Sequence, residues 1–127
     1  MMNSVSRCCL AFLIFVLASS AVVAAGKRAA PKPVPPVTHD GITYSVPNDN
    51  GRLGYLVASD AKSGKHLSDI KVFETKIDPQ LEEDVQWIFI TELSVHGNSL
   101  LVKDEKDSCY RVDLATRHVE NASCHRD

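Results

Sequence analysis

The run "WIFITELSV", Trp87 to Val95, alternates apolar and polar positions over its second half and is apolar on both faces over its first. That pattern predicts a strand with Trp87, Phe89, Thr91, Leu93 and Val95 on one face and Ile88, Ile90, Glu92 and Ser94 on the other, central in its sheet. The same period of two recurs along the chain. "GYLVASD" sets Tyr55, Val57 and Ser59 against Leu56, Ala58 and Asp60, and "GITYSVP", "HLSDIKVFE", "SLLVKDE", "CYRVDL" and "HVENASC" are further strand-like runs. Turn chemistry separates them. "NDNG" at 48–51 tolerates positive φ, and Gly97-Asn98 sits between Val95-His96 and Ser99-Leu100 as a two-residue hairpin turn. In "SDAKSGKH", Asp60 can accept hydrogen bonds from turn amides, and Gly64 can take the left-handed conformation.

One segment departs from this pattern. In "TKIDPQLEEDVQ", Asp78 suits a helix cap, Pro79 a first helical position, and Glu82, Glu83 and Asp84 the positive end of the dipole. The fold expected is mainly β: a small antiparallel β-meander domain of about six to eight strands, with one short helix near residues 79–85.

Ahead of the strands the pattern changes again. Met1 to Arg7 is short and polar with one positive side chain, Cys8 to Leu17 is unbroken apolar, and "ASSAVVAAG" supplies small residues before Gly26. This reads as a secretory signal peptide over residues 1–25, cleaved after Ala25. A membrane anchor is the weaker reading, because Ser19 and Ser20 interrupt a run that only just reaches a bilayer span. The expected location is secreted or periplasmic. Residues 26–40, "GKRAAPKPVPPVTHD", hold four of the six prolines and are expected to form a disordered, extended tether. A single β-rich domain over 41–127 is expected to follow.

Charge and cysteines narrow the picture. Arg7 leaves with the signal, so the mature chain is one unit more negative than the −2 of the full sequence. With no basic stripe, nucleic acid and anionic membranes are excluded as favoured partners. Cys8 and Cys9 also leave, and Cys109 and Cys124 remain to pair in an oxidising compartment. They are symmetric about a point between Thr116 and Arg117, so they are expected to face each other across the last hairpin as a structural disulfide. A metal site from Cys109, Cys124 and His125 lacks the paired spacing of zinc ligands, and the acids at 82–84 are explained by the helix dipole; no metal ligand is assigned. His39, His66, His96 and His118 are scattered over turns and strand starts, and Asn121 opens a glycosylation sequon that matters only in a eukaryotic host. Neither a Gly-x-Ser-x-Gly elbow nor a phosphate loop occurs, and no catalytic or cofactor residue is assigned.

"DAKSGKHL", Asp60 to Leu67, parallels "DLATRHV", Asp113 to Val119. Asp leads, a hydroxyl follows three positions later (Ser63, Thr116), then a basic residue, a His and an aliphatic. In that alignment Gly64 has no counterpart, and His66 and His118 share a position. This is a weak internal repeat of two β-meander units. "ASDAKSGK", Ala58 to Lys65, resembles the repeat of pyrroloquinoline-quinone-type β-propellers, in which Ala-x-Asp-x-x-Thr-Gly-Lys is followed three residues later by a Trp that docks blade on blade. Here that place holds Ser68. The resemblance implies two propeller-blade-like units in which Asp60, Ser63, Gly64, Asp113 and Thr116 are structural turn residues. It carries over no cofactor site, because the vicinal Cys pair of those enzymes has no counterpart after residue 25 and a closed ring needs about four blades or more. The chain also looks like small secreted bacterial proteins that share such turns and a Val-Gln-Trp-x-Phe-Ile-Thr strand.

Three classes of function are open to such a domain. The first is a non-catalytic binding or scaffolding module that docks a protein partner, or self-associates, through open sheet edges. The alternative is an inhibitor of an extracytoplasmic hydrolase, presenting the acidic loop "DPQLEED" to a cationic cleft. The third, an enzyme, has no constellation of residues to support it.

Overall fold

The computed structural model describes residues 28–124 of the chain; the expected signal peptide at 1–25 lies outside the described residues, as does His125. Among the described residues eight strands form two four-stranded antiparallel meanders. The first sheet runs β1 (Val37–His39), β2 (Ile42–Ser45), β3 (Leu53–Asp60), β4 (His66–Glu74), and the second β5 (Ile90–His96), β6 (Ser99–Asp104), β7 (Cys109–Asp113), β8 (Val119–Ala122), each in sequence order. Among the described residues no helix is long and apolar enough to cross a membrane.

The sheets pack face to face. Tyr44, Leu56, Ala58, Ile70 and Val72 point inward from the first, and Ile90, Leu93, Leu100, Val102 and Val112 from the second. Leu56, Ile90, Leu100, Val102 and Val112 are fully buried, and each such side chain stabilises by roughly 1.5–3 kcal/mol. Phe73 of β4 stacks on Tyr110 of β7 with ring centroids 5.2 Å apart, which joins the sheets directly.

Three expectations are corrected. The helix over 79–85 is absent, and a single 3-10 turn at Asp84–Gln86 stands in its place. The carbonyls a helix needs are taken by a side chain: Gln86 Nε2 donates to Asp78 O at 3.0 Å and to Glu82 O at 2.9 Å, while Gln86 Oε1 accepts from Asp78 N. A seven-residue helix with three adjacent acids cannot outweigh that clasp and the cost of nucleation.

The strand of "WIFITELSV" starts only at Ile90 and lies at a sheet edge, not centrally. Register shifts between Ile90 and Glu92, and the extra residue there brings Ile90 and Leu93 to the same inward face, breaking the expected phase. Trp87, Ile88 and Phe89 form a connector against the end of the sandwich: Ile88 N donates to Gly51 O at 3.1 Å.

The expected tether is not wholly free of the domain. Val37–His39 is a strand, paired through a two-residue turn whose residues Asp40 and Gly41 both have positive φ, at 49° and 74°, as a type I′ turn requires. Val34 reaches the core, and Arg28 lies over the Phe89 ring, 4.7 Å from its centroid, with hydrogen bonds to Trp87 O and the Glu105 carboxylate. The folded domain therefore begins before Gly41.

Candidate binding surface

The Asp60 turn is a four-residue loop closed at both levels. Asp60 N donates to Lys65 O and Gly64 N to Asp60 O, both at 2.8 Å. Asp60 Oδ1 accepts from Lys62 N at 3.0 Å, Ser63 N at 2.8 Å and Ser63 Oγ at 3.1 Å, and Gly64 has φ 73°. The Asp113 turn repeats this geometry. Asp113 N donates to His118 O at 2.9 Å, Arg117 N to Asp113 O at 2.7 Å, and Asp113 Oδ1 accepts from Ala115 N and Thr116 N at 2.9 Å each. These bonds hold both carboxyls below their ordinary value: for Asp60 chiefly those from the Ser63 amide and hydroxyl, for Asp113 those from the Thr116 and Ala115 amides.

The superposed turns correct the alignment of the repeat. Arg117, at φ 64°, occupies the place of Gly64, so no residue is missing; His118 then matches Lys65, and His66 and His118 do not share a position. A third turn of the same kind escaped the sequence reading. Asp104 Oδ1 accepts from Lys106 N at 2.9 Å and Ser108 N at 3.0 Å in a loop one residue shorter, with Asp107 at φ 62°. Asp104 is 2 % exposed, and its Oδ2 accepts from the Tyr110 hydroxyl at 3.3 Å. Burial, then this carboxylate, push the Tyr110 hydroxyl above its ordinary pKa.

Each sheet docks its Asp turn on its own two-residue turn, since Ala61 N donates to Gly41 O at 2.9 Å and Leu114 N to Asn98 O at 3.0 Å. The sheets meet at this end through His39 and Asn98, 3.3 Å apart, and through Arg117, which donates to the Ser68 hydroxyl. Between them lies a cavity of about 230 Å³ bounded by His39, Asp40, Tyr44, Asn98 and Ala115. So the structure brings Asp60, Ser63, Gly64, Asp113 and Thr116 to one end, as turn residues.

The disulfide joins Cys109 and Cys124 with Cα atoms 5.3 Å apart. The two do not face each other directly: the register pairs Cys109 with Ala122 and Val112 with Val119. The hairpin is centred one residue earlier than expected, because its loop is the four-residue Asp113 turn. Cys124, just past the end of β8, returns to cover Cys109 on the outer face of the second sheet.

Two surfaces present binding features. One is the free edge of β4, which at nine residues is the longest strand described and ends its sheet. Asp60 turns its backbone towards β4, so alternation turns Ala58 and Leu56 the same way, onto Ser68 and Ile70. The intervening Asp69 and Lys71 thus aim their backbone N–H and C=O groups outward. Beside this edge runs an open groove of about 880 Å³ flanked by Arg52, Leu53, Lys71, Glu74 and Lys76.

The other surface is the loop at 78–86, where Leu81 and Val85 are each 60 % exposed. The Gln86 clasp shapes it, and Arg52 pairs with Glu83 at its base. No group of three or more His, Cys, Asp or Glu side chains suited to a metal ion occurs among the described residues. Compared with known proteins, the chain matches no family model and no curated protein.

Proposed function

We propose that the protein is a secreted or periplasmic, non-catalytic β-domain that binds or scaffolds a protein partner by strand addition at the β4 edge, after removal of a signal peptide. The observation that carries this is the outward-aimed backbone of Asp69 and Lys71 on a nine-residue edge strand with no strand on its far side among the described residues. An extended segment added there would pair with main-chain groups and lay side chains over the adjoining groove. The two identically built Asp turns support reading each sheet as a propeller-blade-like unit, and Ser68 holds an inter-sheet contact to Arg117 at the position where the quinone-type repeat carries its docking Trp.

The test is capture from the secreted fraction by the protein and by Lys71→Pro. Proline at 71 removes an outward donor and leaves the β3 ladder bonds intact. Retention of a partner or of a second copy that is lost in Lys71→Pro is the expected result. Equal retention by both, or a strict monomer that retains nothing, would sink the proposal. Intact mass of the secreted protein, expected to begin at Gly26, checks the signal.

A second reading, inhibition of an extracytoplasmic hydrolase, is favoured by the loop at 78–86. It is held by the Gln86 clasp and presents the exposed Leu81 and Val85 on either side of the acids Glu82, Glu83 and Asp84. A panel of lysozymes and proteases assayed with the protein and with Leu81→Asp tests it; unchanged activity throughout the panel rejects it.

A further inference from the structure

We propose that the occupant of the β4 edge is a second copy of this chain, paired antiparallel about a two-fold axis through Ile70. The inference rests on the binding-module reading above and gives it one partner. A symmetric antiparallel pair must place its axis between identical residues, so the admissible registers differ in steps of two. Centred on Ile70, the pairing sets Asp69 of one copy opposite Lys71 of the other, twice, and Ser68 opposite Val72. Both charged residues are exposed, with side chains 56 % and 59 % accessible, and each pairs with a neighbour on its own strand: Asp69 with His66 and Lys71 with Glu74, at 2.8 Å each. Exchanging those local pairs for cross-strand ones costs little burial.

The two neighbouring centres are self-repelling. An axis at Asp69 sets Asp69 against Asp69, and an axis at Lys71 sets Lys71 against Lys71; like charges directly opposite destabilise a pair. The backbone agrees with the favoured register. Asp69 and Lys71 carry the outward N–H and C=O groups, so the two Asp69–Lys71 positions are also the ones that exchange hydrogen bonds, and Ile70 falls at the non-bonded pair between them. The bulges of β4 near Leu67 and Val72 bound this regular stretch and confine pairing to it. Charges on an edge strand ordinarily prevent indiscriminate pairing. Here their order admits one partner in one register.

The experiment is sedimentation of the purified protein, disulfide intact, over a wide concentration range. It compares the wild type with Asp69→Lys, Lys71→Asp, an equimolar mixture of the two, and the double variant. Wild type is expected to be a dimer that dissociates on dilution. Each single variant places like charges at both pairs and is expected to raise the dissociation constant by about tenfold or more. The mixture restores both pairs as a heterodimer, and the double variant restores them within a homodimer. Circular dichroism and the urea midpoint, unchanged at these exposed sites, confirm that the variants fold. Three results overturn the inference: a monomer at every concentration, single variants that dimerise like wild type, or a mixture that stays monomeric. A monomer whose β4 edge still captures a different protein overturns this inference alone and leaves the binding-module reading standing.

Discussion

Asn48 offers the sharpest test of how the two sheets are held together. Its side chain behaves like a short strand: Nδ2 donates to Ile90 O at 2.8 Å, and Ile90 N donates to Asn48 Oδ1 at 3.1 Å. Asn48 follows β2 in the first sheet, and Ile90 opens β5 in the second, so the amide bridges the sheets at the edge of β5. Ile90 is 1 % exposed, which leaves water little access to its N–H and C=O if the amide is removed. Each buried unpaired group costs about 1–3 kcal/mol. Asn48→Ala should therefore lose about 2–6 kcal/mol from the two bonds. A further loss of about 1 kcal/mol comes from placing Ala at the positive φ of 47° that Asn tolerates. Asn48→Gly removes the same bonds but none of that backbone preference, so it should recover about 1 kcal/mol relative to Ala. Asn48→Asp keeps the acceptor for Ile90 N and turns a second oxygen on Ile90 O, and it should be no better than Ala. Urea unfolding at neutral pH, with slope and midpoint fitted together, measures all three. An Asn48→Ala variant within about 0.5 kcal/mol of wild type would refute the bridge as a stabilising element.

Three further outcomes follow from the same geometry. A Cβ at Gly51 would lie 2.6 Å from Trp87 Cα and 2.7 Å from Ile88 N, both backbone atoms, so Gly51→Ala should cost at least about 2 kcal/mol, and an unchanged urea midpoint would contradict the close approach. Replacing Cys109 and Cys124 together by Ala opens a link of sequence separation 15 and should cost about 3 kcal/mol in non-reducing urea melts, while the secreted wild type should show two free thiols in its intact mass only after reductant; wild-type thiols found without it contradict the bond. Asp60 and Asp113 have folded values held below the ordinary 3.8, so their contribution is present above 3.8 and is lost as pH falls through the lower folded values. The urea midpoint should fall as pH drops below 3.8, and less steeply in the Asp60→Asn, Asp113→Asn double variant, which keeps acceptors for the turn amides; equal slopes would contradict this.

Alternation separated the two faces of β3, Leu56 and Ala58 from Tyr55, Val57 and Ser59, because a period of two is a local property that neighbouring strands reinforce. Loop chemistry was legible where a side chain closes its own turn, as at Asp60 and Asp113, and where a two-residue sequence marks a hairpin, as at Gly97-Asn98. The Asp104 turn was missed although it obeys the same rule, since "DEKDS" has Asp107 where a Gly would have marked the positive φ. Asp40-Gly41 was a stronger signal, a type I′ dipeptide between "VTH" and "ITY", and it was masked by reading the prolines before it as the mark of a tether through residue 40.

What alternation could not show is which strand stands at an edge. An edge is defined by the partner a strand lacks, and that depends on pairings remote in sequence. "WIFITELSV" is apolar on both faces at its start because Trp87 and Phe89 pack beneath Arg28 and Gly51 at the end of the sandwich, not because strands flank it. β4 carries the opposite disguise. Its charges at Asp69 and Lys71 read as an ordinary solvated face until the topology leaves its far side unpaired, and only then does their order along the strand acquire meaning. The pattern of charges on that edge was present in the sequence from the outset, but its use as a register code depends on a fact of topology that no local pattern contains.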